Sequence, residues 1–361
     1  MKIAAKHLEA IRAFGYTEAE ATFLYIVAIH SGYFTQRQFG NLIQCKPGRP
    51  VHAFIQRATA KQHLKRLALQ NNGSVYQLSF KPMYESIQKE NIRNQRSHSL
   101  EFIKTRLAIL DFVLEHLDAD YLEDEADKLR YFEEDLHVDR KNMPRRIYKG
   151  SNQCPDTSRY FVDKFPTFFD RVISPRQLVP TFTFIDPGFE NVKGLRLHLR
   201  TYSAFLKQLP SFEFVYACPA SRTFHLAERA FHNLVAVPSH LRTAHAIRYF
   251  HLRFAWDTKR YESLSNDDLE FLNDARPQFT GEAFESLYRK WSGTGVIEEQ
   301  LTLELNELLS DSRDVQFKTY LLPFDYSLFD QNSKICGKPY GSRFYSRSSL
   351  RFSGQQLLKP R

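Results

Sequence analysis

The feature that most constrains the fold lies early, in HLKRLALQNNGSVYQLSF, His63 to Phe80. Leu64, Leu67 and Leu69 lead into Asn71-Asn72-Gly73, and Val75, Gln77 and Ser79 alternate with Tyr76, Leu78 and Phe80 on the way out. Asn-Gly is among the strongest hairpin signals because both residues tolerate positive φ. The stretch therefore predicts two antiparallel strands around a tight turn.

What precedes the hairpin gives it meaning. Residues 4–13 predict a short helix, with Ile3, Leu8, Ile11 and Phe14 on one face and Gly15 as its stop. Thr17-Glu18-Ala19-Glu20 is a capping box that starts a second, buried helix through Phe23, Leu24, Ile26 and Val27. Thr35 caps a short helix over 36–43, and KPGRP (46–50) breaks the chain. Pro50 then sits in the first turn of a helix over 50–61. That helix buries Val51, Phe54, Ile55 and Ala58 and exposes Arg49, His52, Gln56, Arg57 and Lys61. Short helix, turn, helix and hairpin is the winged helix-turn-helix plan, in which the third helix enters the major groove of DNA. On this plan Arg49, His52, Gln56 and Arg57 read base edges, since Arg pairs with guanine and Gln with adenine. Lys61, Lys65 and Arg66 meet phosphates, and Asn72 and Ser74 at the wing tip reach the backbone or minor groove.

The charge distribution supports a polyanionic partner. The net charge is +9, and residues 1–110 hold 16 Lys/Arg against 6 acids. Residues 118–139 hold 10 acids against 2 basic residues, while 331–361 hold 7 basic residues and no acid. No run approaches the ~18 apolar residues of a membrane span, and charges break the N-terminal apolar positions that a signal peptide would keep continuous. Cys45, Cys154, Cys218 and Cys336 are isolated, which favours free thiols in a reducing, cytoplasmic setting over zinc or disulfides.

Beyond Pro82 a polar helical stretch is expected over 83–98. Leu100, Ile103, Leu107, Leu110, Leu114 and Leu117 then recur at 3-4-3-4-3, a seam that could form a homodimer or pack on the chain's own domains. The acidic run 118–139 reads as a solvated linker face. Strands are expected over 159–170, interrupted at Pro166, over 178–188 and over 212–218, with helices over 192–209 and 224–234. Residues 239–310 read as mainly helical, and a last strand is expected within 317–329. The expected organisation is α+β: a winged helix-turn-helix (1–82), a helical connector (83–144), a small α/β domain with a helical extension (145–330) and a basic tail (331–361).

Sites for chemistry are sparse. No phosphate loop, dinucleotide fingerprint, zincin pair or hydrolase elbow occurs. His240, His245 and His251 lack metal-ligand spacing. One constellation resembles the restriction-endonuclease-like fold, which places an Asp on one strand of a hairpin, an acidic-x-Lys on the next and an amphipathic helix after it. Asp163 or Asp170 could be the first acid and Asp186 the second, together holding Mg²⁺. Position 188 is Gly where a Lys is needed, and Lys193 lies seven residues beyond Asp186. Such a domain would be degenerate, no cofactor is expected unless it cleaves, and Asp186-Pro187-Gly188 also reads as a strand-ending turn.

GYTEAEATFLYIVAIHSGYFTQRQF, QNNGSVYQLSF and VPTFTFIDPGFENVKGLRLHLRTY together resemble the replication-relaxation proteins of bacterial plasmids and integrating elements. The resemblance covers roughly 15–235 and is one of pattern. It implies double-stranded DNA as partner, and a role in element replication, maintenance or transcription regulation.

Overall fold

The computed structural model describes residues 1–68, 74–150, 155–163, 165–169, 179–235, 239–294, 297–309 and 314–326. The turn holding Asn72, Asp170 and the basic tail lie outside these residues. The fold is mixed α+β with several sheets.

The N-terminal part runs α1 (Ala5–Arg12), α2 (Glu18–His30), β1 (Tyr33–Phe34), α3 (Gln36–Leu42), α4 (Arg49–Ala60), β2 (Leu64–Ala68) and β3 (Ser74–Leu78). Local chemistry sets most of these boundaries. The Thr17 and Thr35 side chains each accept the backbone N–H three residues on, and Glu20 and Gln38 bond back, so both capping boxes form. Gly48 precedes α4, with Pro50 in its first turn where no intrahelical N–H is needed. The three strands form an antiparallel sheet in the order β1-β3-β2, with Leu64 opposite Leu78 and Tyr33 opposite Gln77. Phe23, Phe34, Phe39 and Phe54 fill the space between helices and sheet, with Phe39 and Phe54 rings 4.4 Å apart.

The stretch expected to be helical over 83–98 is not one helix. After α5 (Lys81–Ser86) the chain turns at Gln88, which has positive φ, and makes only a 3-10 turn at Arg93–Gln95. Buried Asn94 explains the break: its amide donates to the Ala28 and Ile29 carbonyls near the end of α2, so this segment serves as a cap for another helix.

The leucine-patterned helix α6 (Leu100–Glu115) is buried along most of its length, including Ile103, Leu107 and Leu110. It packs against α2, α3 and β1 on one side and reaches β8 on the other. The seam is therefore covered by this chain's own elements. The remaining elements are β4 (Asp120–Tyr121), α7 (Glu125–Leu129), β5 (Arg145–Tyr148), β6 (Thr157–Tyr160), β7 (Thr167–Phe169), β8 (Pro180–Ile185), α8 (Val192–Leu206), β9 (Ser211–Cys218), α9 (Phe224–Leu234), α10 (Ser239–Asp257), α11 (Asn266–Ala275), α12 (Glu282–Thr294), α13 (Glu298–Leu308) and β10 (Asp314–Leu321).

Five strands make the second sheet, in the order β10-β9-β8-β7-β4. β8, β9 and β10 run parallel, while β7 is antiparallel to both neighbours. Because β4 belongs to this sheet, the sheet reaches back before residue 145. Strand alternation divides its two faces. Ile185, Val215 and Ala217 pack into the core that holds α6 and the N-terminal helices. Phe182, Phe184, Phe212, Phe214 and Tyr216 pack under α8 and α9. The last helices, α10 to α13, form a separate core around Phe250, Phe271 and Leu301. Among the described residues no helix is long and apolar enough to cross a membrane.

The first part of the acidic run is not a solvated linker face, although Glu134, Asp135 and Asp139 are exposed. Glu123 accepts the Tyr25 hydroxyl at 2.8 Å, Asp124 caps α7 and pairs with Lys89 at 2.6 Å, and Glu125 pairs with Arg159 at 2.6 Å. Lys128 and Phe132, from the same run, are buried. Glu123, Asp124 and Glu125 are braces between elements, whereas Glu133 and Asp139 pair nearby with Arg140 and Lys141.

Candidate nucleic-acid interface

On α4 the buried residues are Val51, Phe54, Ile55 and Ala58. Arg49, His52 and Gln56 are exposed on the opposite side, and their spacing of three and four puts them on one helix face. Exposed Ala53 and Ala60 lie on the same face and leave the backbone accessible to a close partner. Lys65 is exposed on β2, and Arg66 beside it donates through Nε to Ser74 Oγ across the hairpin at 2.9 Å.

Arg57 and Lys61, also expected to contact DNA, have partners within the chain. Arg57 forms an ion pair with Glu20, the acid of the capping box on α2, and its guanidinium lies 6.0 Å from the Tyr16 ring. The Glu20 side chain is 10 % exposed and that of Arg57 39 % exposed. Lys61 Nζ donates to the Phe14 carbonyl at 2.6 Å, just after α1, and lies 5.4 Å from the Tyr16 ring. Both cations tie α4 to the first two helices. Helical periodicity reports a residue's direction but not where the end of a long side chain reaches, so these ties do not show in the sequence although Lys61 is exposed as expected.

One signal in the sequence sharpens the electrostatics. Between Glu20 and Glu85 there is no acidic residue, while eight Lys/Arg occur: Arg37, Lys46, Arg49, Arg57, Lys61, Lys65, Arg66 and Lys81. Exposed Lys46, in the turn before α4, belongs with this set. The acid nearest α4, Glu20, is already neutralised by Arg57. Arg37 and Lys81 are offset by Asp111 and Glu85, but among the described residues no carboxylate pairs with Lys46, Arg49, Lys65 or Arg66, so the outer side of α4 and the hairpin presents positive charge.

Two of the other candidates, Asp163 and Asp186, lie at one end of the β7–β8 pair. Asp163 precedes β7 by four residues and Asp186 follows β8 by one, with Thr167 opposite Phe182 in register. Asp186 is 2 % exposed. Its Oδ1 accepts the Gly188 amide at 3.1 Å and the Phe189 amide at 2.7 Å, and its Oδ2 accepts the Asn191 amide at 2.7 Å. Gly188 has φ of 109°, which suits glycine. The carboxylate thus anchors the turn from β8 into α8.

Asp163, partly buried, lines a small pocket with Phe165, His198 and Tyr202. It accepts the Tyr202 hydroxyl and the Phe165 amide (3.1 Å), and His198 Nδ1 lies 3.6 Å away. Burial pushes the Tyr202 hydroxyl far up and the His198 imidazole down. Buried Lys128 donates to the Phe165 carbonyl at 3.2 Å, and burial lowers its pKa. These residues do not fit a Mg²⁺ site: Asp186 is taken up by backbone amides, residue 188 is Gly, and β7 and β8 present Thr167, Thr181 and Thr183 to the interior. Among the described residues no group of three His, Cys, Asp or Glu is arranged to hold a metal ion. Asp170 lies outside the described residues.

No family model matches the chain, and neither a curated protein nor a solved structure was found to be similar to it.

Proposed function

We propose that residues 18–78 are a winged helix-turn-helix that binds double-stranded DNA, with α4 in the major groove and the β2–β3 hairpin as the wing. One observation carries this reading: α4 exposes Arg49, His52 and Gln56 on a single face, beside Lys65, within a stretch that has no acid between Glu20 and Glu85. Arg49 and Gln56 are the base-reading residues, since each can form paired hydrogen bonds to a base edge. Lys46 and Lys65 contact phosphates. Arg57 and Lys61 hold α4 at its angle to α1 and α2 and act on DNA only through that position.

The α/β unit behind it is a nuclease-like scaffold whose hairpin carboxylates serve the fold. Its close packing on α6 gives the DNA-binding part a rigid base. The protein's role on this reading is control of a bacterial element's replication or genes, which the pattern resemblance to replication-relaxation proteins supports.

The test is duplex binding across a salt series. Affinity should fall steeply with salt, and Arg49→Ala should cost roughly 1–3 kcal/mol at a preferred site. Unchanged affinity in both Arg49→Ala and Gln56→Ala would reject the docking.

A further inference from the structure

The two strands β5 and β6 belong to neither larger sheet. Among the described residues they pair only with each other, from Arg145 opposite Tyr160 to Tyr148 opposite Thr157. The foot of this ribbon is fixed. Glu125 accepts the Arg159 Nε at 2.6 Å and the Tyr160 amide at 2.8 Å, and the Phe161 amide donates to the Pro144 carbonyl at 3.0 Å. Phe161 is buried beside Phe205 of α8, 5.4 Å between rings. Above the foot the ribbon is open to solvent: Arg145, Arg146 and Lys149 are exposed, and Ile147 is 55 % exposed.

Its charge is one-sided. Residues 140–160 contain six Lys/Arg and one acid, Asp156. Asp156 accepts the Gly150 amide at 2.8 Å and so faces the ribbon's own backbone. Arg140, Lys141 and Arg159 are offset by Glu133, Asp139 and Glu125. Among the described residues no acid pairs with Arg145 or Lys149. Arg146 stacks over Tyr148 at 5.6 Å, which holds its guanidinium against the ribbon. A two-stranded ribbon wet on both faces is marginal on its own. A major groove admits such a ribbon, and a partner with regularly spaced phosphates matches its charge.

We infer that the β5–β6 ribbon is a second DNA-binding element, which lays Arg145 and Lys149 against the phosphates of a duplex. Ile147 shares a strand face with Arg145 and adds apolar contact with sugars or base edges. The ribbon's foot is rooted under α8, whereas α4 is rooted in the N-terminal core, so the two surfaces are separate. The inference extends the proposed DNA binding without requiring that α4 be correctly assigned.

The test uses the full chain and a random-sequence 40-base-pair duplex, followed by fluorescence anisotropy between 50 and 200 mM salt. A ribbon variant, Arg145→Ala/Lys149→Ala, is compared with an α4 variant, Arg49→Ala/His52→Ala/Gln56→Ala. Loss of two phosphate contacts should make the slope of log affinity against log salt shallower by about 1.8. The loss of affinity across that range then becomes about 12-fold smaller than for the unaltered chain. Arg145→Lys/Lys149→Arg keeps the charge and should retain the slope, which separates charge from misfolding. An unaltered slope in the alanine ribbon variant overturns the inference. If only the α4 variant loses binding, the inference fails and the winged-helix reading stands. If only the ribbon variant does, the reverse holds.

Discussion

Replacement of Asp186 separates a structural carboxylate from a metal-binding one. Asp186 is buried and accepts three backbone amides, at 3.1, 2.7 and 2.7 Å. Each charge-assisted bond contributes about 1.5–3 kcal/mol, and the contributions are not additive when one acceptor serves a single turn. Asp186→Ala leaves three amides without their acceptor, one end of α8 untied and a void. A loss of about 3–5 kcal/mol follows. Asp186→Asn keeps one carbonyl oxygen but turns an amino group toward an N–H, and should lose roughly 1–3 kcal/mol. The assay is urea denaturation with and without Mg²⁺. A carboxylate kept for a metal would behave oppositely, because its removal in metal-free buffer relieves unpaired negative charge. An Asp186→Ala midpoint equal to or above that of the unaltered chain would refute the turn-anchor assignment.

Three further outcomes follow from the contacts. Arg57→Ala should destabilise the chain by about 1–3 kcal/mol in thermal melts, since it strands the partly buried Glu20 carboxylate, whereas exposed Arg49→Ala should stay within about 0.5 kcal/mol. Tyr326→Phe should cost about 1–3 kcal/mol in urea titration, because the buried hydroxyl bonds Asp111 at 2.6 Å, Arg37 at 2.6 Å and Gln38 at 3.1 Å, joining α3 to α6. Acid should destabilise the fold through His30, whose pKa burial and nearby cations push down to about 3 from 6.5. The unfolded chain binds that proton from pH 6.5 downward and the folded chain only near 3, so stability falls as pH drops through this window, by on the order of a few kcal/mol. His30→Phe should flatten that dependence in denaturation midpoints measured from pH 7 to 4.

Local codes were the legible part of this sequence. The capping boxes at Thr17 and Thr35, the flanks of the hairpin and the alternating strand over 212–218 depend on neighbours a few residues apart, and each element forms where its signal lies. Asp186-Pro187-Gly188 was readable as a turn, although its role in holding α8 was not. Long-range pairing was the illegible part. Arg57 finds Glu20 37 positions away and Lys61 finds Phe14 47 away, so two cations that periodicity puts on the open face are internal ties. The leucine stripe of α6 carried no sign of which surfaces would cover it, and the short edge strand β4 was too brief to show a period. The acid-free interval from Glu20 to Glu85 was visible throughout and is the better guide to the exposed face.

The most direct test of the central claim places a photoreactive amino acid at position 56, on the outer face of α4, and another at Leu303, an exposed position on α13. After irradiation with duplex DNA at low salt, the account predicts a covalent protein–DNA adduct from position 56 that disappears at high salt, and none from position 303. Absence of an adduct from position 56 while the chain still binds the duplex would contradict it.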